Sequence, residues 1–216
     1  MARTSAISSG LPKLTLPACE LAPLLLGCRL ARRDVDGWRV GVIVETEAYP
    51  GGDDRASHTY GERRTRRNAS MWLDGGHAYV YFVYGMHHCV NVVSGHAGQG
   101  EAVLVRALAP LEGLPAMRLA RGSGVRDADL CSGPARLTQA LGVDRSFDGV
   151  SLVNGGELQL LPPEPGWRAP FEVGPRIGVD YAGECALRPW RYRCVEVKKE
   201  SEKRKTRDTA RGNRAM

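Results

Sequence analysis

Two acidic residues follow an apolar run in the first quarter of the chain. Glu45 and Glu47 come directly after residues 40–44, which are valine and isoleucine apart from one glycine. Because successive side chains of a β-strand point to opposite faces, both carboxylates should share one face. The apolar run indicates a strand buried on both sides, and burial raises the pKa of a carboxylate toward the range of a general base. On an exposed strand the same pair would only be solvated surface.

An aromatic segment about 30 residues later supplies the second part of a candidate site. Residues 79–86 read Tyr-Val-Tyr-Phe-Val-Tyr-Gly-Met, and alternation places Tyr79 and Tyr81 on one face of the predicted strand. Packing in the core is the ordinary role of such residues, and we expect it for Tyr79 and Phe82. Tyr84 stands before Gly85, where the strand should end, so its ring could insert between stacked bases. A carboxylate beside tyrosine rings could hold a flat ring next to a general base.

The positive charge of the chain is concentrated at its C-terminal end. The formal net charge is +6, and residues 198–216 contain eight Lys/Arg and three Asp/Glu, so 8 − 3 = +5 of it belongs to this tail. Such a tail is typical of a solvated, disordered end. Closer to the candidate site, Arg63, Arg64, Arg66 and Arg67 fall within five residues. They could bind phosphates through paired hydrogen bonds, or they could form a solvated turn.

Two features limit the chemistry that the chain can perform. No lysine occurs between Lys13 and Lys198, so the body of the protein has no amine for a Schiff base, and catalysis must use carboxylates, imidazoles, hydroxyls or thiols. The six cysteines form no Cys-x-x-Cys pair, which predicts free, buried thiols. Adjacent histidines at 87 and 88 would point apart on a strand and have no further ligand at suitable spacing. We therefore predict no metal and no cofactor.

Length and hydropathy predict one α+β domain rich in antiparallel strands. The 216 residues suit a single core, and no apolar run approaches the ~18 residues needed to cross a bilayer. The N-terminus lacks the apolar core of a secretory signal, so we expect no membrane association and an intracellular location, in the bacterial cytoplasm or a eukaryotic nucleus. We predict a flexible extension at 1–16, a domain at 17–197 and a disordered tail at 198–216.

Local patterns place the elements of this domain. The predicted elements are a helix at 17–26, a hairpin of strands at 29–33 and 38–44, strands at 78–83, 89–93 and 102–107, helices at 114–121 and 134–141, a proline-rich loop at 162–175 and a last strand at 191–197. Strands outnumber helices and are joined by short links, which favours antiparallel pairing.

Several motifs, in order along the chain, resemble the alkyladenine (3-methyladenine) DNA glycosylase family of mammals and many bacteria. They are Val-Glu-Thr-Glu-Ala-Tyr at 44–49, Arg67-Asn68, the tyrosine segment at 79–86, Asn91, Leu-Val-Arg-Ala at 104–107 and Leu-Cys-Ser-Gly-Pro at 130–134. The similarity runs from about residue 17 to about 195, with a late match at 176–184. The N-terminal extension and the basic tail are not covered.

The resemblance implies a curved antiparallel β-sheet with peripheral helices and a base-excision repair activity. Such enzymes act on double-stranded DNA, flip a damaged purine nucleotide out of the duplex and hydrolyse its N-glycosidic bond with water, leaving an abasic site. We expect a monomer. We also expect no strand-cleaving lyase activity, because the body of the protein contains no lysine. The lesion preferred among 3-methyladenine, 7-methylguanine, hypoxanthine and ethenoadenine is left open.

Individual roles follow from the matched motifs. Glu47 matches the general base that activates water, and Tyr84 matches the side chain that fills the gap in the helix. The residues that match base-binding positions are Tyr49, His58, Tyr81, Asn91, Arg106 and Ile177. The residues that match DNA-backbone contacts are Arg63, Thr65, Arg67 and Met86. The chain departs from the mammalian pattern at Arg64 and Arg66, which replace non-basic residues, and at His87, which replaces an aromatic one.

Two other classes of protein remain as alternatives. A non-catalytic DNA-binding module would keep the arginine loop and the inserting tip but would tolerate loss of Glu47. A glycoside hydrolase would use Glu45 and Glu47 as its two carboxylates, about 5 to 9.5 Å apart. Two parallel side chains on one strand cannot flank a bond from two sides, which disfavours the glycoside hydrolase.

Overall fold

Antiparallel strands form one curved sheet in this computed structural model, which describes residues 10–83 and 85–195. The strands are β1 (Arg29–Asp34), β2 (Gly37–Tyr49), β3 (Ala78–Val83), β4 (His87–Ser94), β5 (Glu101–Glu112), β6 (Leu158–Leu161), β7 (Phe171–Gly174) and β8 (Arg191–Cys194). The α-helices are α1 (Ala18–Leu24), α2 (Leu114–Arg121) and α3 (Pro134–Leu141). Short 3-10 turns cover Tyr60–Glu62, Ala69–Trp72, Asp127–Asp129, Arg145–Phe147 and Asp180–Leu187.

The strand β2 organises the sheet because it pairs with three neighbours. The main order is β3-β4-β5-β2-β1-β6, and β8 pairs with the second half of β2 and with β7. The β1–β2 hairpin closes through Asp34 and Gly37, and Gly37 has a φ of 112°, a conformation that glycine adopts without strain. The predicted hairpin is thus confirmed.

The α-helices pack on one face of the sheet and bury the main hydrophobic core. Alternate strand residues such as Val80, Val92 and Val103 point into this core, where they meet Leu21 of α1 and Leu137 of α3. The α+β fold with an antiparallel curved sheet and peripheral helices is confirmed. None of the helices in the described ranges is long and apolar enough to cross a membrane.

The boundaries of several elements differ from the predictions. The four-residue strand β6 was not predicted, and the loop predicted at 162–175 is wrong at its end, where β7 forms. The first helix ends at Leu24, one residue after Pro23, rather than at 26. The last strand ends at Cys194, and residues 196 and 197 of its predicted range lie outside the described residues.

The segment before α1 contacts the body of the protein. Residues 1–9 of the predicted extension lie outside the described residues, as does the predicted tail at 198–216. Of the rest of the extension, Leu11, Leu14 and Leu16 are half-buried and pack against the main core. The carbonyl of Leu16 also accepts a hydrogen bond of 3.0 Å from the Gly95 amide.

Candidate active site

A cavity of about 240 Å³ lies on the side of the sheet where the alternate strand residues point away from the main core. Seven of the predicted site residues line it: Tyr49, His58, Arg67, Tyr81, Asn91, Arg106 and Ile177. Further lining residues are Met71, Tyr79, Cys89, Leu104, Val179 and Tyr181. Residues far apart in the sequence therefore meet at one place.

The register of four strands explains this meeting. Tyr79 pairs with Asn91, Asn91 with Leu104, and Leu104 with Glu47, across β3, β4, β5 and β2. Side chains at partner positions of neighbouring strands lie on the same face of a sheet. The four residues thus form one row beneath the cavity, with the carboxylate at one end.

Glu47 is fully buried and is held by three residues that line the cavity. Its Oε2 accepts a hydrogen bond of 2.9 Å from the Tyr49 hydroxyl, and its Oε1 accepts one of 2.7 Å from the Ile177 amide. The Arg106 Nη1 lies 3.2 Å from the same Oε1. Burial raises the pKa of Glu47, and Arg106 and the two hydrogen bonds oppose this only in part. The carboxylate is therefore a stronger base than an exposed one.

A β-bulge brings Arg106 to both acidic residues. Between Glu45 and Thr46 the pairing register shifts, and Arg106 is the extra residue on β5. Such a bulge locally re-aims side chains. The Arg106 Nε lies 3.3 Å from Glu45 Oε1 while its Nη1 contacts Glu47. Since Glu45 and Glu47 contact one guanidinium, they lie on the same side of the site and do not flank a bond as glycoside hydrolysis requires.

Aromatic rings form a wall of the cavity. Tyr79 and Tyr81 stack with their ring centres 5.3 Å apart, and the His58 ring meets Tyr81 edge-on at 4.7 Å. The His58 Nδ1 and the Tyr79 hydroxyl are hydrogen-bonded at 2.7 Å. Burial and, to a smaller extent, Arg67 lower the pKa of His58 to about 4, so the imidazole is neutral at neutral pH.

Of the two core predictions for the aromatic segment, that for Tyr79 is confirmed and that for Phe82 is wrong. Tyr79 packs in a buried cluster with Met71, Val93 and Ala102, and it also lines the cavity. The prediction that Phe82 packs in the core is wrong, since 44% of it is exposed. It lies near the end of the sheet-edge strand β3, where its ring centre is 5.1 Å from that of His88.

A buried ion pair behind Tyr49 was not predicted. The Arg176 guanidinium binds both carboxylate oxygens of Asp54, at 2.6 and 2.7 Å, and donates to the Ala48 carbonyl at 3.0 Å. It also lies over the rings of Tyr49 and Trp190, at 4.6 and 4.8 Å. The two partners are 122 positions apart, so no local pattern could reveal the pair.

The arginine loop is an ordered structure with exposed charges. Asn68 is buried and its side chain binds three backbone groups, the carbonyls of His58 and Arg63 and the amide of Thr65, each at 2.8 Å. The four arginines and Thr65 remain exposed. Arg67 reaches the rim of the cavity, where it lies 5.3 Å from the centre of the Tyr81 ring. The loop thus presents positive charge beside the opening.

The remaining predicted residues have the following positions. Met86 is 71% exposed, while Tyr84 lies outside the described residues.

All six cysteines are free: Cys28, Cys89 and Cys131 are buried, and Cys19, Cys185 and Cys194 are half-buried. In the part of the chain that the structure describes, no group of three or more His, Cys, Asp or Glu side chains could hold a metal ion.

The site is a buried carboxylate behind an aromatic cavity, with the exposed Arg67 at its rim, and the family that the chain matches makes it a hydrolase that acts on DNA. The chain matches the family model "Methylpurine-DNA glycosylase (MPG)" over residues 13–198. A relative from Burkholderia cenocepacia (strain HI2424) is 49% identical over 177 residues, 81% of this chain and 82% of its own. One from Bacillus cereus (strain B4264) is 43% identical over 182 residues, 80% of this chain and 88% of its own.

Both relatives carry the name "Putative 3-methyladenine DNA glycosylase". The chain belongs to the methylpurine-DNA glycosylase family. It is therefore a DNA repair glycosylase whose partner is DNA with damaged bases, and the resemblance drawn from its motifs is confirmed.

Proposed function

We propose that the enzyme turns an alkylated or deaminated purine nucleotide out of duplex DNA into the cavity and hydrolyses its N-glycosidic bond. The observation that carries this proposal is the buried Glu47 carboxylate, held by Tyr49 and Ile177, two residues that line an aromatic cavity. An enzyme that acts on this bond must have the base outside the stack, since the duplex covers it otherwise.

The wall suits a flat, positively charged base. Alkylation at N3 or N7 gives the purine a positive charge, and tyrosine rings attract such a cation by about 0.5 to 2 kcal/mol. Tyr49 and Tyr81 are the rings proposed to hold it. The neutral His58 supports this role because a protonated imidazole in the same wall would repel a cationic base.

Glu47 is the proposed general base. When the C–N bond breaks, its electrons go to the purine, and the sugar becomes an oxocarbenium-like cation. The carboxylate opposes that positive charge and takes a proton from the water that adds to the sugar carbon. Tyr49 uses one lone pair of Oε2, and a carboxylate oxygen has a second lone pair with which to orient the water.

Asn91 and Ile177 are proposed to read the edge of the base. The Asn91 Nδ2 donates to the Tyr79 carbonyl at 2.9 Å, which fixes the amide at the cavity wall. Guanine carries an exocyclic amine, and two donors cannot pair with each other, so a fixed amide nitrogen disfavours normal guanine. The Ile177 backbone is proposed to contact the purine edge, and Arg106 to hold Glu47 and the nucleotide.

Arg63, Thr65, Arg67 and Met86 are proposed to bind the DNA backbone, and the arginines supply the positive charge. Tyr84 fills the gap that the flipped nucleotide leaves. The enzyme acts as a monomer made of the domain at 17–197, with flanking segments at 1–16 and 198–216. It leaves an abasic site uncut because its body contains no lysine for an imine.

Single-turnover excision from duplexes that each carry one defined lesion tests the proposal. We expect an alkali-sensitive abasic site at the lesion, no strand cut without alkali, and no adduct after borohydride reduction. Glu47→Gln should bind the duplex and lose excision. Excision of no purine lesion, or a Glu47→Gln enzyme within a fewfold of wild type, would show that the proposal is wrong.

A further inference from the structure

A second carboxylate and a second arginine extend the contacts of Glu47. Glu45 Oε1 lies 3.3 Å from Arg106 Nε and 3.0 Å from Arg191 Nη1, so it is shared between two guanidinium groups. The side chains of Glu45, Arg106 and Arg191 are 15%, 13% and 20% exposed, while that of Glu47 is fully buried. Two acids and two arginines therefore form one chain of contacts that leads from the sheet to the proposed base.

Arg191 also contacts the segment that donates to Glu47. It lies on β8 opposite Glu47 in the register, and its Nε donates to the Pro175 carbonyl at 2.9 Å. Pro175 is two residues before Ile177, whose amide binds Glu47. One arginine thus fixes Glu45 and the backbone of this segment at the same time.

We propose that Glu45 and Arg191 are positioning residues for Glu47, which hold the Arg106 guanidinium and set how much of its positive charge acts on the Glu47 carboxylate. This inference rests on the proposed function of Glu47 as the base. Glu45 contacts the Nε of Arg106, and Glu47 contacts the Nη1 of the same guanidinium. The two carboxylates therefore share one positive charge. Arg191 in turn neutralises part of the negative charge of Glu45, so more of the positive charge of Arg106 acts on Glu47.

The groups that face Glu47 from each neighbouring element allow the sign to be worked out. They are the Tyr49 hydroxyl on β2, Arg106 on β5, the Ile177 amide, and, through longer-range charge, Cys89 on β4 and the buried Arg176. None of these carries a fixed negative charge at neutral pH, because burial also raises the pKa of the Cys89 thiol. Glu45 is therefore the negative group that balances Arg106 at this point.

Replacement of Glu45 and replacement of Arg191 should shift the pH dependence of excision in opposite directions. Glu45→Gln removes a negative charge, so the positive charge of Arg106 acts on Glu47 alone and favours its ionised form. The acid limb, which is the fall in rate toward low pH, then moves to lower pH. Arg191→Gln removes a positive charge and leaves Glu45 entirely to Arg106, which moves the acid limb to higher pH. At the separations involved, one charge shifts such a limb by about one pH unit.

The experiment is the single-turnover rate of 7-methylguanine excision across the acid range, with the full chain. This base is already cationic, so its own protonation does not enter the acid limb. Asp127→Asn and Arg118→Gln are the matched controls, since each removes one partner of an exposed ion pair that involves none of the strands β2, β5 and β8. Both should keep the wild-type limb. Arg191→Lys keeps the charge and should keep a limb close to wild type.

The outcomes separate this inference from the proposed function. Opposite shifts in Glu45→Gln and Arg191→Gln support it, whatever the change in the plateau rate. A limb unchanged in both variants, or shifted the same way in both, overturns the positioning role while wild-type excision leaves the function standing. If Arg191→Gln does not fold, an unshifted limb in Glu45→Gln alone overturns the inference. A wild-type enzyme that excises no lesion overturns both proposals.

Discussion

The guanidinium of Arg176 and the carboxylate of Asp54 form a two-pronged ion pair whose side chains are both completely buried. Arg176 directly precedes Ile177, which donates to Glu47, and Asp54 lies in the loop that leads from β2 to His58. The pair therefore joins the two segments that flank the proposed base pocket. Its guanidinium also supports the ring of Tyr49 from behind.

We expect Arg176→Met to destabilise the protein strongly. Loss of one partner leaves Asp54 as an uncompensated buried charge, which typically costs about 3 to 5 kcal/mol of unfolding free energy. The control is Arg193→Met, which breaks the half-exposed pair with Glu172 and should cost about 1 kcal/mol or less. Urea denaturation followed by tryptophan fluorescence measures both. Equal losses in the two variants would show that Arg176 has no special structural role.

The pH dependence of excision should follow the ionisation of Glu47. Burial raises the pKa of this carboxylate, and only the ionised form can accept a proton from water. The rate should therefore be full above the pKa of Glu47 and should fall as the pH falls through it, at a higher pH than the ~4.3 of an exposed glutamate. Single-turnover rates on a 7-methylguanine duplex measure the limb, and a midpoint at or below that ordinary value contradicts the assignment.

Local sequence patterns predicted the faces of the strands well. The alternation that places Glu45 with Glu47, and Tyr79 with Tyr81, depends only on covalent geometry, and both pairs share a side of the sheet. The strand β7 was hidden because its four residues lie between prolines and pair with β8, the next strand, without a tight hairpin turn between them. Prolines favour a loop assignment when the partner strand is unknown.

The tertiary contacts of the site could not be derived in the same way. Arg106 contacts two acidic residues because of a β-bulge that no periodicity reveals. Arg176 binds Asp54, which lies 122 positions earlier in the sequence. His58 and Ile177 were identified only through the resemblance to a family, since an isolated histidine in a loop and an exposed isoleucine carry no local signal. These groups act together because the fold brings them close, and local sequence patterns do not show that proximity.

His58 should remain neutral throughout the physiological range. Burial, with a smaller contribution from Arg67, lowers its pKa to about 4, so the ring loses its proton well below neutral pH. We expect its NMR signals to stay constant from about pH 5.5 upward, whereas an ordinary histidine titrates near 6.5. The spectrum of His58→Gln assigns the signals among the five histidines. Titration of His58 near 6.5 would contradict a neutral wall and the proposed accommodation of a cationic base.

The arginine loop should contribute to DNA affinity through individual phosphate contacts. Arg63 and Arg67 are exposed, and Arg67 reaches the rim of the cavity. Each phosphate contact that is lost flattens the dependence of log K on log salt by about one. Arg63→Gln and Arg67→Gln should therefore weaken binding to undamaged and damaged duplexes alike and reduce this slope. Arg126→Gln is the control, because Arg126 is exposed but pairs with Asp129 on a different segment. Fluorescence anisotropy over a range of salt concentrations measures the slopes. If the loop variants keep the slope of the control, the loop is only a solvated turn and other residues must hold the backbone.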